Sequence, residues 1–177
     1  DAGGVDAMGL AEYVNKQFDP RLVWKDIDWL RSIWDGPIVL KGIQTVEDAV
    51  LSADVGVDGI VLSNHGGRQL DDAPPTLELV APVADEVGHR LDVMCDGGIR
   101  RGSDIAKAIA LGAKACLVGR AYFYALGAGG EQGVDLVLKW FDEGLRRSMA
   151  LLGAKTVSEV TPEMVRPSAT VIDVGVN

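Results

Sequence analysis

The sequence predicts an α/β fold in which β–loop–α units feed one parallel sheet, and three observations carry that expectation. Four short apolar runs rich in β-forming residues recur along the chain, each closed by a polar or glycine-rich segment. The first three are followed by stretches with apolar residues at three- and four-residue steps, the period of a helix. The runs end at Lys41, Ser63, Asp96 and Gly119, which lie 22, 33 and 23 residues apart, as strand, loop and helix together would require. Nearly continuous apolar strands suit a parallel sheet covered on both faces. A Rossmann-like sheet shows the same alternation. A chemically special residue at the end of every strand favours a (β/α)8 TIM barrel, which builds its active site there.

Taken in order, Leu10–Gln17 and Trp24–Trp34 read as helical, punctuated by Pro20 and Asp26. The strands are Pro37–Lys41, Gly59–Ser63, Leu91–Asp96 and Ala115–Gly119, with helices over Thr45–Val55, Thr76–Val87 and Ser103–Leu111 between them. Thr45 with Asp48, and Ser103 before an alanine-rich stretch, have the form of helix starts. Val134–Leu152 reads as a long amphipathic helix, the last of a barrel's outer ring, and Thr156–Val165 as a short helix after it. A complete barrel takes roughly 200–250 residues and eight strands, whereas four strands alone leave two open edges. The expectation is therefore half a barrel, one domain over residues 1–177, whose other half comes from elsewhere. The chain has no initiator Met, and Asp1–Gly9 lacks the basic and apolar regions of a secretory signal. A start inside a larger polypeptide is expected.

Composition narrows the function. A net charge of −9 argues against a nucleic-acid surface, which needs clustered Lys and Arg. No apolar run approaches the roughly 18–20 residues that span a bilayer. Cys95 and Cys116 sit in apolar runs without metal-ligand spacing and read as a reduced, buried pair, which fits a cytoplasmic setting.

The chemistry sits in the strand-end loops. In Ser63–Asn64–His65–Gly66–Gly67–Arg68–Gln69, a histidine adjoins two glycines and an arginine follows three positions later. Glycines let backbone approach a ligand, a neutral histidine can act as a general base, and the planar fork of arginine matches a carboxylate. A solvated surface loop would look the same to any one of these tests. Asp96–Gly97–Gly98–Ile99–Arg100–Arg101–Gly102 follows a strand and opens a helix, where exposed N–H groups and the helix dipole favour an anion. Asp96 could accept hydrogen bonds from the hydroxyls of a ribose- or ribityl-like chain. Gly119–Arg120 stands at the next strand end, so the two clusters together form a phosphate cradle. Lys41 is either a lysine snorkelling at the sheet rim or a cation that stabilises negative charge on a bound ring.

IVLKG, SNHGGRQLD, DGGIRRGSD and VGR, in this order and spacing, resemble the second half of the FMN-dependent enzymes that oxidise 2-hydroxy acids. That family includes glycolate oxidase, lactate oxidase, and mandelate and L-lactate dehydrogenases. The resemblance runs from about Leu10 to Val165 and implies strands 5–8 and the C-terminal helices of a TIM barrel. It implies that His65 takes a proton from the substrate and Arg68 pairs with its carboxylate. Lys41 and Ser63 would lie at the flavin ring, Asp96 at the ribityl chain, and Gly97, Gly98, Arg100, Gly119 and Arg120 at the FMN phosphate. Whether the substrate carbon loses a proton or a hydride stays open. So do the electron acceptor and the substrate, with lactate the first to try.

The resemblance further implies a homo-oligomer, often a tetramer. The family's carboxylate that orients the histidine lies outside this sequence, so a partner is expected: the N-terminal half of the barrel from a nicked or split enzyme. Two other readings stand beside this one. A different FMN- or phosphate-binding barrel would carry a similar Asp-Gly-Gly-Ile-Arg loop but would not need His65 and Arg68. A non-catalytic half-barrel would keep the motifs as scaffold. Asn64, Gln69 and Asp71 read as loop-shaping residues and His89 as a surface histidine. Trp24, Trp29, Trp34 and Trp140, with Tyr122 and Tyr124, read as packing residues.

Overall fold

The computed structural model describes residues 9, 12, 13, 16, 17 and 19–165. Residues 1–36 and 37–177 form two compact units. In the first, Glu12, Tyr13, Lys16 and Gln17 are helical, and the rest of the expected Leu10–Gln17 helix lies outside the described residues. Helix α1 covers Asp26–Ile33, shorter at both ends than the Trp24–Trp34 expected, with the Asp26 carboxylate accepting the Val23 N–H at 2.7 Å.

The second unit carries the sheet. Strands β1 (Val39–Ile43), β2 (Gly59–Leu62), β3 (Asp92–Cys95) and β4 (Ala115–Cys116) are all parallel and lie side by side in chain order. A doubly wound sheet reverses its order at a switch point, whereas a barrel adds each strand beside the last. The sequential order therefore decides for an arc of barrel over the Rossmann alternative. Every residue of β2 is buried, as the covered middle of such a sheet requires.

Helices α2 (Val46–Asp54), α3 (Thr76–Val87) and α4 (Gly102–Ala110) alternate with the strands. Thr45 caps α2 as its sequence predicts, its hydroxyl accepting the Asp48 N–H at 3.0 Å. Val80, Val83 and Val87 form the fully buried stripe of α3 at helical spacing. Each such side chain contributes about 1.5–3 kcal/mol on burial.

Boundaries differ from expectation in the later helices as well. Helix α4 starts at Gly102 rather than Ser103, because the Asp104 carboxylate reaches back to the N–H groups of Arg100 (2.9 Å) and Arg101 (2.8 Å). Helix α5 spans Arg120–Leu152, not Val134–Leu152, with a non-helical Gly130 (φ 58°, ψ −144°) joining its two segments. The Thr156–Val165 helix is instead two 3-10 turns, Val157–Glu159 and Pro162–Met164, because Val160 and Thr161 between them are extended. Val160 packs with Ala110 and Ala154 in a small cluster at the ends of α4 and α5.

Where α4 meets α5, the helices touch backbone to backbone. A Cβ on Gly102 would lie 2.0 Å from the Leu145 nitrogen, so only glycine fits. The tryptophans do not pack as expected: Trp29, Trp34 and Trp140 are all more than half exposed. Among the described residues, no helix is long and apolar enough to cross a membrane.

Candidate active site

The register of the strands explains why distant residues meet. In a parallel sheet, partners on neighbouring strands point the same way, and Lys41 pairs with Val61, which pairs with Met94. One step beyond these rows the strands end, and the loops carry Ser63 and Asp96 to the same level. There the Lys41 ammonium donates to the Ser63 hydroxyl at 2.8 Å and pairs with the Asp96 carboxylate at 2.7 Å. Ser63 is fully buried, and its hydroxyl also accepts the His65 N–H at 3.1 Å.

The loop after β2 is wound by left-handed residues: His65 (φ 56°), Gly66 and Gly67 (both 70°). Positive φ is uncommon outside glycine, though histidine is among the residues that tolerate it. Asn64 holds the turn, its carboxamide oxygen accepting the Gly66 N–H at 3.0 Å and its carbonyl accepting the Gly67 N–H at 3.0 Å. The loop-shaping role expected of Asn64 is thus met. The register of β1 slips between Lys41 and Ile43, and Gly42 there adopts φ 103°. The imidazole of His65 lies against it, its Cε1 2.8 Å from where a Cβ would stand. Gly42, the last residue of the IVLKG motif, is therefore part of the histidine's seat, a role the sequence did not assign to it.

The loop after β3 is tied from below. The buried Thr76 hydroxyl donates to the Asp96 carbonyl. Asp96 Oδ2 serves Lys41, while Oδ1 is buried with no hydrogen-bond partner. A buried carboxylate oxygen without a donor is costly, and a hydroxyl-bearing ligand would satisfy it. Arg120 reaches across from the start of α5 and donates to the Gly66 carbonyl at 3.3 Å.

These loops enclose an open cavity of about 1000 Å³. It is lined by Lys41, His65, Arg68, Asp96, Gly97, Gly98, Arg100, Gly119 and Arg120, and Ser63 lies just beneath. The ten residues singled out in the sequence are thus brought together at one place. Gln69, Tyr122 and Tyr124 line it too; Tyr124 is 70% exposed rather than packed.

The charge layout separates two regions. Lys41 and Asp96 neutralise one another at the floor, while Arg68, Arg100 and Arg120 leave the rim cationic. The α4 N-terminus contributes less than expected, since Asp104 already occupies the N–H groups of Arg100 and Arg101. The groups left open to an anion are the arginine side chains and the glycine backbone. Cβ atoms on Gly98 or Gly119 would meet nothing within 4 Å, so the cradle above them is open. The buried free oxygen of Asp96, the open glycines and the arginine rim fit a group with hydroxyls, a phosphate and a flat ring, as FMN has.

The known proteins to which this chain is similar fall in one family. The FMN-dependent dehydrogenase family matches residues 2–167. A putative L-lactate dehydrogenase of Mycobacterium tuberculosis is 50% identical over 156 residues, covering 88% of this chain and 38% of that protein. The peroxisomal (S)-2-hydroxyacid oxidase GLO3 of Arabidopsis thaliana is 47% identical, covering 89% of this chain and 44% of that protein. A crystal structure of mandelate oxidase superposes with a TM-score of 0.81 at 43% identity, over 86% of this chain and 44% of that one. The chain thus spans about two fifths of the length of the relatives it matches. It belongs to the FMN-dependent dehydrogenase family, whose members oxidise 2-hydroxy acids on a TIM barrel, and it supplies part of that barrel.

Proposed function

We propose that the protein containing this chain oxidises an L-2-hydroxy acid, lactate first among candidates, to the 2-oxo acid with FMN as primary electron acceptor. One observation carries the reading. A histidine and an arginine suited to a hydroxy-acid headgroup open onto the same cavity as Lys41, Asp96, Arg100 and Arg120. The names of the relatives, L-lactate dehydrogenase and 2-hydroxyacid oxidase, support the substrate class.

When bound, FMN accepts the two electrons removed from the substrate. The chain's own residues bind and orient around that transfer. Arg68 pairs with the substrate carboxylate through its planar fork, and His65 takes a proton from the substrate as general base. Lys41, held by Ser63, offers positive charge to the flavin ring. Asp96 accepts from the ribityl hydroxyls, and Gly97, Gly98, Arg100, Gly119 and Arg120 hold the phosphate.

Residues 1–177 make up the C-terminal half of one FMN-binding barrel domain in this proposal. The complementary half comes from the rest of a longer, nicked or split chain, and the assembled barrels form a homo-oligomer, a tetramer by analogy, in the cytoplasm. Among the described strands β4 pairs only with β3, so its other edge is open to a further strand.

The test is spectroscopic. The assembled protein should be yellow, and its flavin absorbance should bleach when L-lactate or another L-2-hydroxy acid is added without oxygen. A colourless assembly that cannot be reconstituted with FMN would leave only a scaffold. A flavoprotein that no hydroxy acid bleaches would point to another FMN barrel.

A further inference from the structure

The sequence holds two cysteines, and the fold sets them against each other on the face of the sheet opposite Lys41 and Asp96. Cys95 ends β3 and Cys116 ends β4, and the two are direct register partners. The Leu117 N–H donates to the Cys95 carbonyl at 2.9 Å, which holds that register. Their sulfurs lie 3.9 Å apart and both thiols are free. Neighbouring parallel strands run about 4.8 Å apart, within the roughly 4.4–6.8 Å between Cα atoms that a disulfide spans. Register partners also send their side chains to the same face, so no strand need turn over for the bond to form.

We propose that Cys95 and Cys116 are a two-electron oxidation site, at which hydrogen peroxide converts the thiol pair into a disulfide joining β3 to β4. The two sulfurs are not equivalent. Cys95 is almost fully buried and Cys116 is half-buried, so a small oxidant reaches Cys116 first. The hydrogen bond from the Cys95 thiol holds the Cys116 thiol below its ordinary pKa, while the same bond and burial push Cys95 up. Cys116 is therefore the attacking sulfur.

Its thiolate attacks a peroxide oxygen and the O–O bond breaks. The departing hydroxide takes the proton given up by Cys116 and leaves as water, with Cys116 now a sulfenic acid. The Cys95 sulfur then attacks the Cys116 sulfur, the S–S bond forms, the S–O bond breaks, and the hydroxyl departs with the Cys95 proton as a second water. Two thiols are oxidised by two electrons and one peroxide is reduced to two waters. The new bond would staple the sheet just ahead of Asp96 and three residues ahead of Gly119, which the reduced chain leaves to one short strand pair.

The experiment needs neither flavin nor substrate. The full native polypeptide carrying this sequence is treated with hydrogen peroxide, quenched, unfolded, alkylated and mapped by mass spectrometry. The expected product is a peptide pair joined through Cys95 and Cys116, lighter by two hydrogen atoms and released by dithiothreitol. The two free thiols of this segment should fall to none. In the Cys116→Ser variant, the Cys95 thiol should survive the same dose. Both thiols remaining alkylatable at a dose that fully oxidises free glutathione would overturn the proposal. So would sulfinic acid at either residue, or disulfides only between chains. Because the wild-type mapping alone decides the matter, poor folding of the variant would not rescue it.

Discussion

The floor and the rim of the cavity are built on different principles. At the floor, Lys41, Ser63, Asp96 and Thr76 bind one another through short hydrogen bonds and an ion pair. At the rim, Arg68, Arg100 and Gly119 are exposed, and Arg120 makes one long bond to a backbone carbonyl. Groups that bind each other before a ligand arrives require little reorganisation when charge develops beside them. Groups left in water are free to take up an anion, and their loss should cost the fold little. Changes at the rim should therefore alter binding or turnover at constant stability, whereas changes below it should alter both.

The sharpest break of that contrast is at His65, which belongs to the rim by exposure and to the floor by its N–H bond to Ser63. Asparagine tolerates the left-handed backbone that His65 adopts, so His65→Asn removes the imidazole without straining the turn. Turnover of the assembled enzyme should fall by about 10²–10⁴, with the melting temperature unchanged. A loss below about tenfold would remove His65 from the base role. Gly102→Ala tests the opposite extreme, a position in the scaffold far from proton transfer. Its Cβ would press on the Leu145 backbone nitrogen, and overpacking of this kind costs about 1–3 kcal/mol or more. Urea unfolding should report that loss while the flavin spectrum of the folded fraction stays the same.

Arg68→Lys sharpens the rim side. Lysine keeps the charge but not the fork, and a charge-assisted hydrogen bond is worth about 1.5–3 kcal/mol. KM for the hydroxy acid should rise by about ten- to a hundredfold, with flavin absorbance and unfolding midpoint as in the parent. If flavin were lost instead, Arg68 would belong to the cofactor site rather than to the substrate.

Much of this organisation could be read from the chain, and the parts that could not have physical causes. The strands and α2 to α4 were legible because burial on both faces forces apolar runs, and Thr45 announces its helix through a local bond. The ends of elements were harder. β1 begins at Val39 and continues through Ile43 because Gly42 permits a slip in register, and β4 is two residues rather than five because only β3 pairs with it among the described strands. The α5 segment from Arg120 was missed because its glycines argue against a helix that the structure nevertheless forms. The ten site residues were legible as motifs. The ion pair between Lys41 and Asp96 was not, since it depends on register across two strands. Asp104 took two N–H groups that the motif alone offered to an anion. Nothing marked Thr76, although a threonine opening a helix just after Pro74–Pro75 was the available signal.

Thr76 gives the smallest and most discriminating test of the floor. Its hydroxyl is the link from α3 to the Asp96 carbonyl, and its Oγ1 would stand 3.0 Å from a Cβ on Gly97. Thr76→Val keeps the shape and removes the donor, leaving a carbonyl beside a methyl group. One neutral hydrogen bond contributes about 0.5–1.5 kcal/mol, so stability should fall by about 1 kcal/mol. If the bond also aims the loop that carries Asp96 and Gly97, the dissociation constant of FMN should rise several-fold, and Thr76→Ser should restore it. A purely structural hydroxyl would shift the unfolding midpoint and leave flavin affinity untouched. That outcome would place Thr76 with the scaffold, beside Gly102, and shrink the floor to Lys41, Ser63 and Asp96. Restoration by serine would instead show that the floor extends one layer deeper than the residues that line the cavity.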